Sequence, residues 1–197
     1  MRNRNNVLVG APDVKAAGGI TLGDVVPAGG AIPTDAVTAI DLSHGHEPAG
    51  FVSEDGVTKT VDRTIEKIRD WNGDTIITVQ SDHGVTLQLT FMEGANAVVL
   101  KRIFGEENVI IDGENITILD TAAELPHFSL NIEIKGSATR KIRLFAPDAQ
   151  ITETGDVTFV RSGVIQYQVT IECFDVDDVK LYQFISDLTT PVDPETP

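Results

Sequence analysis

The 197-residue chain carries 15 lysines and arginines against 30 aspartates and glutamates, a formal charge of −15. That length allows one domain or at most two around a real core, and the charge repels polyanions, which disfavours direct nucleic-acid binding through phosphate neutralisation. A single cysteine excludes an internal disulfide framework, and no apolar run approaches the ~18 residues of a membrane span.

Residues 1–6 lack the apolar stretch of a signal peptide, so the chain is expected to be made inside the cell and to be soluble. Through residue 45, Gly18-Gly19, Pro27, Gly29-Gly30 and Pro33 punctuate short apolar pieces at 7–9, 20–22 and 25–26. That punctuation predicts an extended arm, able to wrap a neighbour, rather than a packed subdomain. Thr34 or Asp35 could cap one helical turn. His44 and His46 alternate as two strand residues chelating a metal would, but no third ligand has an obvious spacing. An exposed loop before Pro48 is the plainer reading.

Strand-like pieces follow at 51–53, 57–63, 65–71, 75–80 and 85–91. Asn72-Gly73 is a strong hairpin signal, since both residues tolerate the positive φ of a type I′ turn, and it pins 65–71 against 75–80. Ser53-Glu54-Asp55-Gly56 reads as a loop. His83-Gly84 reads as a turn between two strands, and the neighbouring Ser81-Asp82-His83 is no catalytic triad, which is assembled from distant positions. Residues 93–104 form the one convincing helix. Ala97, Leu100 and Phe104 share a stripe with Val99 and Ile103 beside it, Lys101 and Arg102 suit the negative end of the dipole, and Gly105 stops it. A lone amphipathic helix can bury its stripe only against a sheet.

Residues 109–112 and 115–119 flank a Gly113-Glu114 hairpin turn. Phe128, Leu130, Ile132 and Ile134 alternate with Ser129, Asn131, Glu133 and Lys135. The same period of two recurs at 141–144 and 165–173, predicting antiparallel sheets with one buried and one wet face. Cys173, in the last run, reads as a buried structural thiol. Asp175, Asp177 and Asp178 lack the spacing of a calcium loop and read as a solvated turn. Residues 179–185 are a last strand or helix start, and the proline-rich acidic 189–197 is expected to be disordered. The organisation is thus an arm (1–45), a β domain (46–188) and a tail (189–197). No phosphate-binding glycine loop, His-Glu-x-x-His, Cys-x-x-Cys or Gly-x-Ser-x-Gly occurs, so neither an enzyme nor a cofactor is expected.

Taken together, the run 61–74 through Trp71-Asn72-Gly73-Asp74, the run 85–91 and the helix ending at Phe104-Gly105 resemble the major tail tube proteins of long-tailed bacteriophages, relatives of contractile-tail and type VI secretion tube proteins. The resemblance implies a mainly β, antiparallel sandwich or barrel-like subunit with one flanking helix (93–104) and an extended N-terminal arm. It implies hexameric rings whose inner strands close one β-barrel, stacked into the tube through which the genome leaves. The implied partners are further copies of the chain and the tape measure, tail terminator and tail tip proteins. DNA passes without specific binding, no cofactor or membrane is involved, and the product is a virion tail assembled in the host cytoplasm. Some relatives add an immunoglobulin-like domain; the acidic tail predicts none here.

Open sheet edges invite pairing with another copy, and rings use each edge once. At −15 per copy, six copies bring roughly −90 to a ring, and an acidic bore would let DNA slide. Glu66, Asp70, Glu133 and Glu172, which lie in strand-like runs, are the expected bore carboxylates. Ser53, Glu54, Asp55 and Gly56, with the arm, are the expected contacts between stacked rings. The alternative is a carbohydrate- or receptor-binding β-sandwich of a tail tip or adhesin, for which eight Phe, two Tyr and one Trp are a thin aromatic supply. A small hydrolase lacks any nameable acid, base and nucleophile.

Overall fold

Alternating apolar residues in the second half of the chain build the centre of the fold, and the strands before the helix extend it to one side. A computed structural model describes residues 6–13, 19–40, 45–137 and 139–188; His44 and the 189–197 tail lie outside the described residues. The strands are β1 (Ala11–Pro12), β2 (Ile20–Gly23), β3 (Glu47–Pro48), β4 (Thr58–Arg69), β5 (Thr75–Phe91), β6 (Val109–Asp112), β7 (Asn115–Ile118), β8 (Phe128–Lys135), β9 (Arg140–Thr154), β10 (Tyr167–Cys173) and β11 (Tyr182–Asp187), with one helix, α1 (Ala97–Phe104). Nine strands form one antiparallel sheet in the order β3-β2-β8-β9-β10-β5-β4, with β1 added on β8 and β11 on β9. Among the described residues β6 and β7 pair only with each other. The fold is therefore mainly β with one helix, as expected; within one chain the sheet stays open, because its end strands β3 and β4 do not meet.

One side of the sheet carries the main core. Leu87, Leu89 and Phe91 of β5, Val169 and Ile171 of β10, and Leu130 and Ile132 of β8 pack with Val99, Leu100 and Ile103 of α1. The helix begins at Ala97, four residues later than the apolar pattern predicts. Asn96 caps it, its side chain accepting the Val98 N–H at 3.0 Å, and the preceding Glu93 is held outside by accepting the Phe51 N–H at 3.1 Å. Gly105, at φ 98, ends it by donating to the Lys101 carbonyl.

The opposite side is covered over only part of its width. The segment expected as an arm is extended but packed: Ile20 and Leu22 are core residues of β2, which pairs with β8. Residues 24–40 then run as a strap across β8 and β9. Val26 donates to Pro147 O (3.0 Å), Gly29 to the Asp177 carboxylate (2.7 Å) and Ala36 to Ser186 Oγ (2.9 Å). Asp35 caps the Val37 and Thr38 N–H groups without starting a helix. Beneath the strap Ser129, Asn131 and Glu133, the face of β8 expected to be wet, are buried.

Two boundaries between predicted strands also dissolve. The predicted strands 57–63 and 65–71 merge into one strand, β4, which ends at Arg69, and 75–80 and 85–91 merge into one 17-residue strand, β5. His83-Gly84 is no turn: it pairs with Asp62 and Arg63 mid-strand, and Ser81 is the extra residue of a bulge opposite Thr64 and Ile65. The hairpin lies where Asn72-Gly73 predicts it. Only Gly73 takes positive φ (89°), and Gly73 N–H donates to Asp70 O at 3.1 Å, so Trp71 and Asn72 occupy the centre of an ordinary turn instead of a type I′ turn.

Candidate functional site: an uncovered acidic sheet face and a projecting hairpin

Past the strap's edge the sheet has a bare face. Direct partners across antiparallel strands share a side, and each strand alternates sides. β10 therefore presents Gln168, Thr170 and Glu172 away from the core, beside Thr90, Gln88 and Thr86 of β5. Gln150 and Glu153 of β9 flank them on one side, and Thr58 and Thr60 of β4 on the other. Along the hairpin the same face continues through Asp62, Thr64 and Glu66 of β4 and Asp82 of β5. An added Cβ on Gly84 would come within 3.8 Å of the Asp62 Cβ, which fits their sharing a side. Over four strands this face holds hydroxyls, amides and five carboxylates, and no Lys, Arg or His. Only towards the hairpin tip, at Ile68, Ile77 and Val79, does it turn apolar.

From about Gly84 outward, β4 and β5 have only each other. β5 gains its second neighbour, β10, from Thr86 on, and among the described residues nothing pairs with the outer edge of β4. Every residue of β4 is exposed, including Val61, Ile65 and Ile68, and Trp71 at the turn is fully exposed. A two-stranded ribbon with exposed apolar side chains is marginal alone in water, and its free backbone edges are a template for another chain.

The expected site residues separate accordingly. Glu66 and Glu172 lie on the bare face. Asp70 sits in the hairpin turn, where its carboxylate accepts the Asp74 N–H at 2.8 Å. Glu133 does not face water: it is 4% exposed and ion-paired at 2.6 Å with Arg143, itself 3% exposed. Arg143 also donates to the Asp35 and Thr38 carbonyls (2.8 and 2.7 Å), so the pair fastens the strap to the sheet. Burial pushes the Asp35 carboxyl up, but hydrogen bonds from Thr38 and Val37 and the charge of Arg143 outweigh it and hold the group below its ordinary value. Sequence reading missed Asp62, Asp82 and Glu153. The first two are signalled by the alternation of one uninterrupted hairpin, which the supposed His83-Gly84 turn concealed.

Ser53 to Gly56 form a turn with Glu54 and Asp55 exposed and Ser53 and Gly56 half-buried, Gly56 (φ 68) donating to Ser53 O at 3.0 Å. The turn borders a groove of about 670 Å³ lined mainly by apolar residues, among them Phe51, Val52, Val57, Ile20, Ile132 and Ile134. His46 is buried and hydrogen-bonded to Thr21 and Ser129, both at 3.2 Å, as a core histidine is. Among the described residues no three His, Cys, Asp or Glu side chains converge as a metal site requires.

The family model for phage tail tube proteins matches residues 14–195. No curated protein matches the sequence. Among solved structures, the chain is similar to the tube-terminating cap of the anti-feeding prophage (12% identity, TM-score 0.44, covering 95% of this chain and 99% of that one). It is also similar to a chain of the extended sheath–tube complex of the PVC extracellular contractile injection system (8% identity, TM-score 0.41, 86% and 89% covered) and to an Hcp protein (11% identity, TM-score 0.24, 85% and 98% covered). With a family match that spans nearly its whole length, the chain belongs to the phage tail tube proteins.

Proposed function

We propose that copies of this chain join into hexameric rings that stack as the tube of a phage tail, an acid-lined conduit for DNA leaving the virion. The uncovered face carries this reading: it spans four strands without one cation, on a sheet whose end strand and projecting hairpin keep free hydrogen-bonding edges. Free edges are completed by another strand, and when each copy gives one edge and receives one, the assembly closes as a ring. In such a ring the open sheets join into a barrel that has no edge left.

DNA passing a wall of carboxylates, hydroxyls and amides meets no cation to exchange for its counterions, so it slides without being held. Asp62, Glu66, Asp82, Glu153 and Glu172 face this bore, Asp70 lies at the hairpin turn, and Glu133 stays inside the subunit. The turn Ser53, Glu54, Asp55 and Gly56 and the N-terminal segment supply contacts between rings, the groove beside the turn offering an apolar seat. Tape measure, tail terminator and tail tip proteins are the remaining partners, assembly takes place in the host cytoplasm, and no catalytic step enters.

Electron microscopy of the purified chain tests the reading. Hollow rings or tubes are expected; discrete particles without a bore, at every concentration and beside the other tail proteins, would overturn it.

A further inference from the structure

We propose that the cationic side of the β4–β5 hairpin docks on the acidic 106–124 segment of the next copy, an inference that rests on the ring assembly above. Lys59, Arg63, Lys67 and Arg69 occupy alternate positions of β4 and so project to one side, together with the exposed Val61 and Ile65. These four are more than a quarter of the chain's 15 lysines and arginines. Their cross-strand partners are Leu87, His83, Thr78 and Thr75, none of them a carboxylate. Among the described residues none of the four takes part in an ion pair. On a chain of charge −15, such a surface finds its complement in another copy.

The complement is specific. Residues 106–124 hold six carboxylates and no Lys, Arg or His, and among the described residues only Glu106 of the six is ion-paired, with Lys101 at 3.4 Å. The β6–β7 hairpin inside this segment exposes Ile110, Ile111 and Ile118. Both surfaces are thus exposed apolar hairpins, of opposite charge.

Their placement also agrees. At its base the cationic side of the hairpin is the core side, since Val61 stands opposite the buried Val85 and Lys59 opposite the buried Leu87. The 106–124 segment lies on that same side, anchored by Val109 in the core with Val99, Leu100 and Ile103. When the acidic face of the hairpin lines a bore, its other side looks outward, into the layer where the neighbouring copy carries α1 and β6–β7.

Charge reversal with mixing tests this. One variant carries Arg63→Glu and Lys67→Glu, the other Asp112→Lys and Glu114→Lys; all four positions are exposed, and circular dichroism checks that both variants fold. Each alone juxtaposes like charges and is expected to need at least about tenfold more protein than the unaltered chain to form tubes. An equal mixture restores each contact, because every hairpin then meets a segment of opposite sign, and six is an even number. Tubes from either folded variant alone at the unaltered chain's concentration, or folded variants that stay inert when mixed, overturn the docking while leaving the ring reading intact. If the unaltered chain forms no ring, both fall.

A second measurement needs no variant. Carbodiimide joins a lysine amine to a carboxylate as an amide with loss of water. In tubes mixed from light and heavy-isotope copies, links between copies are expected from Lys59 or Lys67 to carboxylates of 106–124. Between-copy links from these lysines confined to other segments overturn the proposal.

Discussion

Arg143→Ala removes the cation from a pair in which both partners are almost wholly out of water, 3% and 4% exposed. The guanidinium is held to Glu133 Oε1 through Nε at 2.7 Å and Nη2 at 2.6 Å, and its remaining donors fix the Asp35 and Thr38 carbonyls of the strap. The other Glu133 oxygen is buried without a hydrogen-bond partner among the described residues, and besides Arg143 the carboxylate accepts a neutral donor, the Asn131 amide at 3.3 Å, so among those residues no second cation compensates the charge. Breaking such a pair from one side costs about 3–5 kcal/mol, a large share of the ~5–15 kcal/mol that holds a domain folded. Glu133→Leu combined with Arg143→Met removes both charges and is expected to return the protein to within ~2 kcal/mol of its starting stability. Urea unfolding followed by far-UV circular dichroism, below polymerising concentrations, measures both; the fully exposed Trp71 makes fluorescence a poor reporter. An Arg143→Ala change within ~0.5 kcal/mol, the size seen at open surface positions, would refute the reasoning and put Glu133 in water.

Asn96→Ala, which loses the cap of α1, is expected to lower stability by about 1 kcal/mol in the same urea assay. Gly50→Ala places a Cβ against the Glu93 carboxylate at φ 78 and displaces it from the Phe51 N–H. Gly73→Ala meets only a positive φ of 89 with nothing within 4 Å, so calorimetry should show the larger drop in Tm for Gly50→Ala. Burial holds the Cys173 thiol up to about 12 against an ordinary 9.0. Between those values the unfolded chain loses the thiol proton and the folded chain keeps it, so stability falls as pH rises, by up to ~1.4 kcal/mol per unit. Cys173→Ala should remove that part of the slope in urea titrations from about pH 8 to 11.

Local chemistry made much of the architecture legible. Asn72-Gly73 located the hairpin, although its neighbours chose another turn. The stripe of α1 identified its buried face, while its start was misplaced because Asn96, with an oxygen to offer the Val98 N–H, competes with the apolar pattern that reaches back to Glu93. Strand alternation gave the two sides of β8 but not their surroundings. Glu133 alternates as Glu66 does, yet a strap from a hundred residues earlier covers one and no described residue covers the other. The strap itself was hidden because its glycines and prolines are also what an unattached arm would carry; only long-range bonds such as Gly29 to Asp177 distinguish the two. β5 was cut in two because Ser81 to Gly84 have no apolar alternation, which is what a strand exposed on both sides looks like.

The central claim is that the cation-free side of the sheet, continued by the hairpin, forms the inner wall of a closed ring of copies. A helical reconstruction of the polymer by cryo-electron microscopy measures this directly. The expected map has six copies per ring, with Glu66, Asp82 and Glu172 turned to the bore and Lys59, Arg63 and Lys67 turned away from it. A bore lined by those three cations, or a polymer in which the hairpin edge pairs with no neighbouring strand, would contradict it.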